Sequence, residues 1–248
     1  MLAVMDLMTL PWNLSNNSAN VNMKTFKGEV ILGVAIGKNK VDMTKKLLEF
    51  GANPNNHHDG FTLLGMAVMK GNVKIVKSLL KYGAKVSQIP LLWPIVCKNS
   101  EILQIMLDHG AELKDFDGLQ YIVIHGHLEF LKVLIKHGVD VNRYTHMHRV
   151  PLHDAITATA LTKNAINRIE IVSELLKNGA NPNLPHRHSG FTAIHSATKF
   201  PSHLKVFLNL EVSLDLNKRN NNGETAFERA LNYGRKDTAK MLFHHNHN

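Results

Sequence analysis

One block of nine residues recurs almost unchanged along this chain, and that recurrence limits its fold more than any other feature. It reads Leu47-Leu48-Glu49-Phe50-Gly51-Ala52-Asn53-Pro54-Asn55, then Leu79-Leu80-Lys81-Tyr82-Gly83-Ala84-Lys85-Val86-Ser87. It returns as Leu134-Ile135-Lys136-His137-Gly138-Val139-Asp140-Val141-Asn142 and as Leu175-Leu176-Lys177-Asn178-Gly179-Ala180-Asn181-Pro182-Asn183. Weaker copies stand at Met106 to Glu112 and Ser213 to Asn217, and a degenerate one at Ser18 to Asn22. Self-similarity at a fixed spacing is the mark of an array in which each repeat buries its apolar face against the next.

The block is a helix end. Its paired apolar residues complete a buried face, and the glycine after them can take the left-handed conformation that satisfies the last helical carbonyls. Upstream, Val73, Ile75, Val76, Leu79 and Leu80 fall at helical spacing, as do Leu128, Phe130, Leu131, Leu134 and Ile135, and again Ile169, Ile171, Val172, Leu175 and Leu176. A shorter helix precedes each of these, starting in Phe61-Thr62-Leu63-Leu64, Val150-Pro151-Leu152-His153 or Phe191-Thr192-Ala193-Ile194. Two helices and an extended turn make one repeat.

These residues resemble ankyrin repeats, in which Asp-Gly-x-Thr-Pro-Leu-His-x-Ala-Ala leads to Gly-His/Asn, a Leu-Leu helix and Gly-Ala-Asp-Val-Asn. Asp59-Gly60-Phe61-Thr62, Gly71-Asn72, Gly126-His127, Pro151-Leu152-His153 and Gly223-Glu224-Thr225 fill those slots. The resemblance runs from about Ser18 to His245 and implies an all-α solenoid of about seven helix pairs with hairpin-like fingers. It divides the chain into an N-terminal cap segment, 1–17, and a repeat domain, 18–248, with no second domain. The cap is expected to hold a helix around Leu2 to Leu10 stopped by Pro11, with Trp12 covering the first repeat.

The spacing is uneven. Between helix-ending positions 18, 51, 83, 110, 138, 179 and 213 it is about 33, 32, 27, 28, 41 and 34 residues, against about 33 in the family. The third and fourth fingers therefore read as cropped, leaving a notch into which a partner element can project. The fifth repeat carries about eight extra residues, Thr159 to Ile166, between its helices; lacking proline and glycine, they are expected to lengthen its first helix.

Composition excludes several classes. A single cysteine allows neither an internal disulfide nor a Cys-rich zinc site, and favours a reducing, cytoplasmic setting. No run approaches the roughly 20 apolar residues of a membrane helix. Met1 to Met5 lacks a charged leader, so no secretory signal is expected there. Sixteen histidines invite a metal reading at His57-His58, His125-x-His127, His146-x-His148, His186-x-His188 and His244-His245-x-His247. None has accompanying cysteines or the His-Glu-x-x-His arrangement, so no metal or other cofactor is expected. The family resemblance gives His153 and His195 a hydrogen-bonding role between turns. Cys97 has no nucleophile-activating motif and reads as a small apolar residue; with no phosphate loop or catalytic insertion either, no enzyme activity is expected. Trp93, Phe116, Tyr121, Phe130 and Phe207 read as core or rim.

Positions that the repeat leaves free are the candidate protein-binding residues. These are His57, His58, Phe61, Met69 and Lys70 in the second repeat, and Tyr144, His146, Met147 and Arg149 in the fifth. Arg187, His188, Phe191 and Lys199 follow in the sixth, and Arg219, Asn221, Asn222, Asn232 and Tyr233 in the seventh. Tyr, Phe, Met and Arg are enriched at interface centres. The net charge of +9, about +3 in the first half and about +6 in the second by residue counting, points to an acidic patch on a protein partner. Nucleic acid, or another acidic polymer, is the alternative, although Lys74, Lys77, Lys81, Lys132, Lys136 and Lys177 fall on second helices, where a solvated outer face is the simpler reading. The protein is expected to act as a monomer. With 25 asparagines and frequent Lys and Ile, the array is also similar to secreted ankyrin effectors of intracellular bacteria and to viral ankyrin proteins; no F-box-like segment follows it.

Overall fold

A computed structural model of the chain describes residues 21–22, 29–113, 116–145, 147–158, 165–210 and 212–246. The cap segment 1–17 and the candidate His146 lie outside them. Among the described residues fourteen helices follow one another as seven pairs. They are α1 (Ile31–Gly37) with α2 (Val41–Glu49), α3 (Leu63–Met69) with α4 (Val73–Lys81), and α5 (Leu92–Val96) with α6 (Ser100–Asp108). Then come α7 (Gly118–His125) with α8 (Leu128–Lys136), α9 (Pro151–Thr157) with α10 (Ala165–Lys177), α11 (Ala193–Ala197) with α12 (Pro201–Asn209), and α13 (Ala226–Asn232) with α14 (Lys236–Asn246). The second finger closes as a hairpin, β1 (His57–His58) antiparallel to β2 (Phe61–Thr62), with His58 opposite Phe61.

The pairs form two compact units that divide between Ala111 and Glu112. In the N-terminal unit α1 packs on α3 and α3 on α5, while α2 packs on α4 and α4 on α6. In the C-terminal unit the first helices α7, α9, α11 and α13 stack in order, and so do the second helices α8, α10, α12 and α14. Each unit thus has two helical layers with the core between them: Leu64, Ala67, Ile75, Val76 and Leu79 in one, Leu152, Ala155, Ile171, Val172 and Leu175 in the other, all essentially inaccessible.

The recurring block ends α2, α4, α6, α8 and α10 by one device. Gly51, Gly83, Gly110, Gly138 and Gly179 take φ of +79° to +88°, and the residue after each glycine donates its amide to the carbonyl five positions back, as Ala52 does to Leu47 and Ala180 to Leu175. This is the Schellman closure, which only glycine adopts without steric cost. The two asparagines that follow divide the next task. In Asn181 the side chain accepts the amide of Asn183 at 2.9 Å, an Asx turn that extends the backbone. The Asn183 side chain then bridges to the next repeat, donating to Ser213 O and accepting from Asp215 N, both at 2.9 Å. Asn22, Asn55 and Asn142 make the same paired bridges to the next repeat.

First helices begin at a hydroxyl cap where one is present. Thr62 Oγ1 accepts from Gly65 N at 3.0 Å, and Thr225 forms a capping box with Glu228. Second helices α4 and α6 are capped by Asn72 and Asn99. Of the extra residues of the fifth repeat, expected to lengthen its first helix, 159–164 lie outside the described residues. Helix α9 ends at Thr157, and Ala165 and Ile166 belong instead to α10, which reaches 13 residues. Within a solenoid the second helix has a free outer face, so it can accept added turns without displacing a finger.

Candidate protein-binding surfaces

In the N-terminal unit, packing leaves an apolar strip uncovered. Phe61 at the second fingertip is 41% exposed, Met69 at the end of α3 is 48%, and Leu92 and Val96 on α5 are 43% and 62%. Phe61 stands edge-on to Trp93 with ring centroids 6.2 Å apart, and the Cys97 thiol donates to Met69 O at 3.3 Å. His57 and Lys70 are also exposed. His58 is not: it was expected at a free fingertip, but the strand pairing turns it inward and it is buried. Leu92 and Val96 were missed. Their signal was legible, because Leu92-Trp93-Pro94-Ile95-Val96 is apolar throughout and so short a helix can bury only one side.

In the C-terminal unit the fingers of the fifth, sixth and seventh repeats are stitched together. The Tyr144 hydroxyl donates to Pro185 O at 2.9 Å, and the Arg187 guanidinium lies 4.4 Å over the Tyr144 ring. Arg187 N donates to His148 O at 3.2 Å, and the His148 and His188 rings meet edge-on at 4.7 Å. Asn221 reaches back, its Nδ2 donating to His188 O at 2.9 Å and its amide to Ser189 O at 3.0 Å.

Several candidates are therefore partly spent on the fold. Arg149 is half-buried and pairs at 3.4 Å with the buried Asp154, whose other oxygen accepts from Gln120 at 3.0 Å. Phe191 is half-buried beneath Arg229, whose guanidinium lies 4.2 Å from the Phe191 ring and 4.7 Å from that of Tyr233. Arg219 is neutralised by Glu228 at 2.8 Å. Exposed positions among the candidates here are Met147, Arg187, His188, Lys199, Arg219, Asn221, Asn222, Asn232 and Tyr233. Of the aromatics expected at core or rim, Phe130 and Phe207 are buried and Trp93 and Phe116 half-buried. Tyr121 is 40% exposed, its ring stacked on His125 at 4.0 Å.

Beside the shortened fourth finger is a cavity of about 410 Å³. Leu113, Phe116, Leu119, Val139 and Pro151 supply apolar walls, while Asp117 and Arg143 lie 3.8 Å apart at its lining. The lysines expected on the outer faces of second helices, Lys74, Lys77, Lys81, Lys132, Lys136 and Lys177, are all exposed. Lys77 and Lys132 already pair with Glu101 and Glu129, at 2.7 and 3.1 Å.

The histidines of the Pro-Leu-His slot differ from each other. His195 does link turns: Nδ1 meets Thr192 Oγ1 at 2.8 Å and Nε2 meets Glu224 O at 3.0 Å. His153 does not, and neither of its buried nitrogens has a hydrogen-bond partner. Val150 stands where Thr192 stands in the next repeat, so the hydroxyl that would receive the imidazole is missing. Burial, reinforced by His186, Arg149 and His195, lowers the His153 pKa to about 4. His186, His195 and His203 are lowered as well, in each case chiefly by burial.

The pattern is shared with known proteins. The family model described as "Ankyrin repeats (3 copies)" matches residues 1–90, 34–117, 91–186 and 161–248. A search of curated protein sequences gives no match. Among solved structures the chain is similar to the human ASB11 ankyrin repeat domain, at 22% identity over 87% of this chain and 97% of that one, with a TM-score of 0.58. It is also similar to the ankyrin repeat domain of Bcl-3, titled a unique member of the IkappaB protein family, at 20% identity over 82% of this chain and 94% of that one, with a TM-score of 0.63. At such identities the likeness is one of fold.

Proposed function

The chain belongs to the ankyrin-repeat family, and from that premise we propose that it is a non-catalytic module that binds another protein through its fingertips and the exposed sides of its first helices. The repeat domain runs over 18–248, and it works as a monomer. Ankyrin repeats are in general protein-interaction modules. The observation that carries the reading is the exposure of Phe61 at the second fingertip, Met69 on α3 and Leu92 and Val96 on α5, since large apolar side chains left exposed on neighbouring elements serve association and not folding. Arg187 and His188, exposed on the sixth-repeat finger, and Lys199, exposed in the turn after α11, favour an acidic patch on that partner.

Among the described residues no helix is long and apolar enough to cross a membrane. With one cysteine, a reducing compartment such as the cytoplasm suits the chain, and its Asn-rich composition supports action as an effector delivered into a host cell. The test is quantitative capture from nuclease-treated eukaryotic cytosol, comparing the wild type with two folded variants. One carries Met69→Ser and Val96→Ser, the other Arg187→Ala, His188→Ala and Lys199→Ala. Tyr144, Arg149 and Phe191 are left intact because their side chains brace the fingers, and circular dichroism checks that losing the Arg187–Tyr144 and His188–His148 ring contacts leaves the second variant folded. A protein retained by the wild type and lost with either variant supports the reading; equal capture by all three sinks it. The net charge of +9 favours a second reading, nucleic acid, which requires binding to duplex DNA with a steep salt dependence and no response to the apolar variant.

A further inference from the structure

His58 does something that its repeat slot does not require. Its side chain is only 7% exposed, and its Nδ1 is buried without a hydrogen-bond partner. That edge of the ring lies against Gly33 of α1, where a Cβ would come within 2.7 Å of Nδ1. The glycine thus makes room for the imidazole and holds it in place. The other nitrogen, Nε2, looks towards Asp59 Oδ2 at 3.6 Å, which is beyond hydrogen-bond reach for a buried polar group. Glu29, from the segment that leads into α1, completes the group. One donor atom from each of Glu29, His58 and Asp59 lies within 4.8 Å of the others.

We infer that Glu29, His58 and Asp59 form a binding site for a divalent first-row cation of the Zn²⁺ class. Two donors at roughly 2.0–2.1 Å from one ion, at tetrahedral to trigonal angles, stand roughly 3.3–3.6 Å apart; the His58–Asp59 separation of 3.6 Å is of that size. One imidazole and two carboxylates suit Zn²⁺, Co²⁺ or Mn²⁺ rather than a thiolate-selecting ion. Asp59 is 77% exposed and Glu29 half-buried, so the positions that protein ligands leave open face solvent. The ion takes the Nε2 lone pair, and Nδ1 carries the ring proton. Bound there, it ties the segment before α1 to the tip of the second finger and stabilises the N-terminal unit by favouring the folded state.

Sixteen histidines make adventitious binding the chief rival, so the experiment uses Co²⁺, whose d–d absorption reports its ligands, on the metal-stripped full chain. The expected result is a saturable one-equivalent phase, displaced by Zn²⁺, and a raised thermal midpoint. Glu29→Gln and Asp59→Asn each weaken that phase by at least about tenfold, the lower end of what losing even an outer partner of a metal site costs. Asn is accommodated at Asp59, whose φ is +50°, and circular dichroism confirms that both variants fold. The double variant His186→Ala with His188→Ala keeps the phase. The inference fails if no saturable phase exists, if the phase survives both carboxylate changes unaltered, or if the His186/His188 variant abolishes it.

Discussion

At the scale of single residues, the asparagines explain why the recurring block is spelled as it is. The first polar residue after Gly-Ala turns the backbone, and the residue two positions on spans the gap to the next repeat. A bridge of two hydrogen bonds, each contributing about 0.5–1.5 kcal/mol net, sets the cost of removing it. Asn183→Ala therefore lowers stability by about 1–3 kcal/mol, seen as a lower urea midpoint, while Asn209→Ala, at an exposed position on α12, leaves the midpoint unchanged. The letters Asn55, Asn142 and Asn183 were readable as a repeat. Their partners were not, because each lies in the next repeat, about 30 to 40 residues further along.

Elements start and stop on local chemistry, and the start of α9 shows what that chemistry does. Thr62, Thr192 and Thr225 precede α3, α11 and α13, whereas Val150 precedes α9. His153 and His195 each occupy the third position of their helix, yet only His195 finds a hydroxyl. Val150→Thr is close in shape and supplies the missing group. It is expected to raise stability by about 1 kcal/mol, the usual worth of a cap residue, and to give the His153 ring a slowly exchanging proton signal in NMR. Unchanged stability and an unchanged ring spectrum would show that α9 has no room for the hydroxyl. The same local reading predicted two helices in the fifth repeat correctly, but it put Ala165 and Ile166 on the first and they belong to the second. Sequence without proline or glycine states that a helix can lengthen, not which neighbour leaves space for it.

For the whole molecule, acid acts unevenly. His153, His186, His195 and His203, all with lowered pKa, belong to the C-terminal unit. For His153 the unfolded chain takes up a proton near pH 6.5 while the folded chain resists until about 4, so stability is full above that window and declines as pH falls through it. A shift of this size is worth up to about 3 kcal/mol. Hydrogen exchange read by mass spectrometry at pH 7.5 and pH 5, corrected for intrinsic rates, should show protection falling more in 165–210 than in 63–108; equal loss would mean that burial of these rings does not govern acid stability. The sequence by itself determined the seven helix pairs, their order and their turns, because helical periodicity and the left-handed tolerance of glycine act within a few residues. Only the tertiary structure decided that His58 is buried against Gly33, that Tyr144, Arg149 and Phe191 brace neighbouring elements, and that Glu29 meets Asp59. Each of these depends on where a neighbouring repeat or a distant stretch of chain comes to rest, and that is settled by packing between elements and not by the spelling of any one of them.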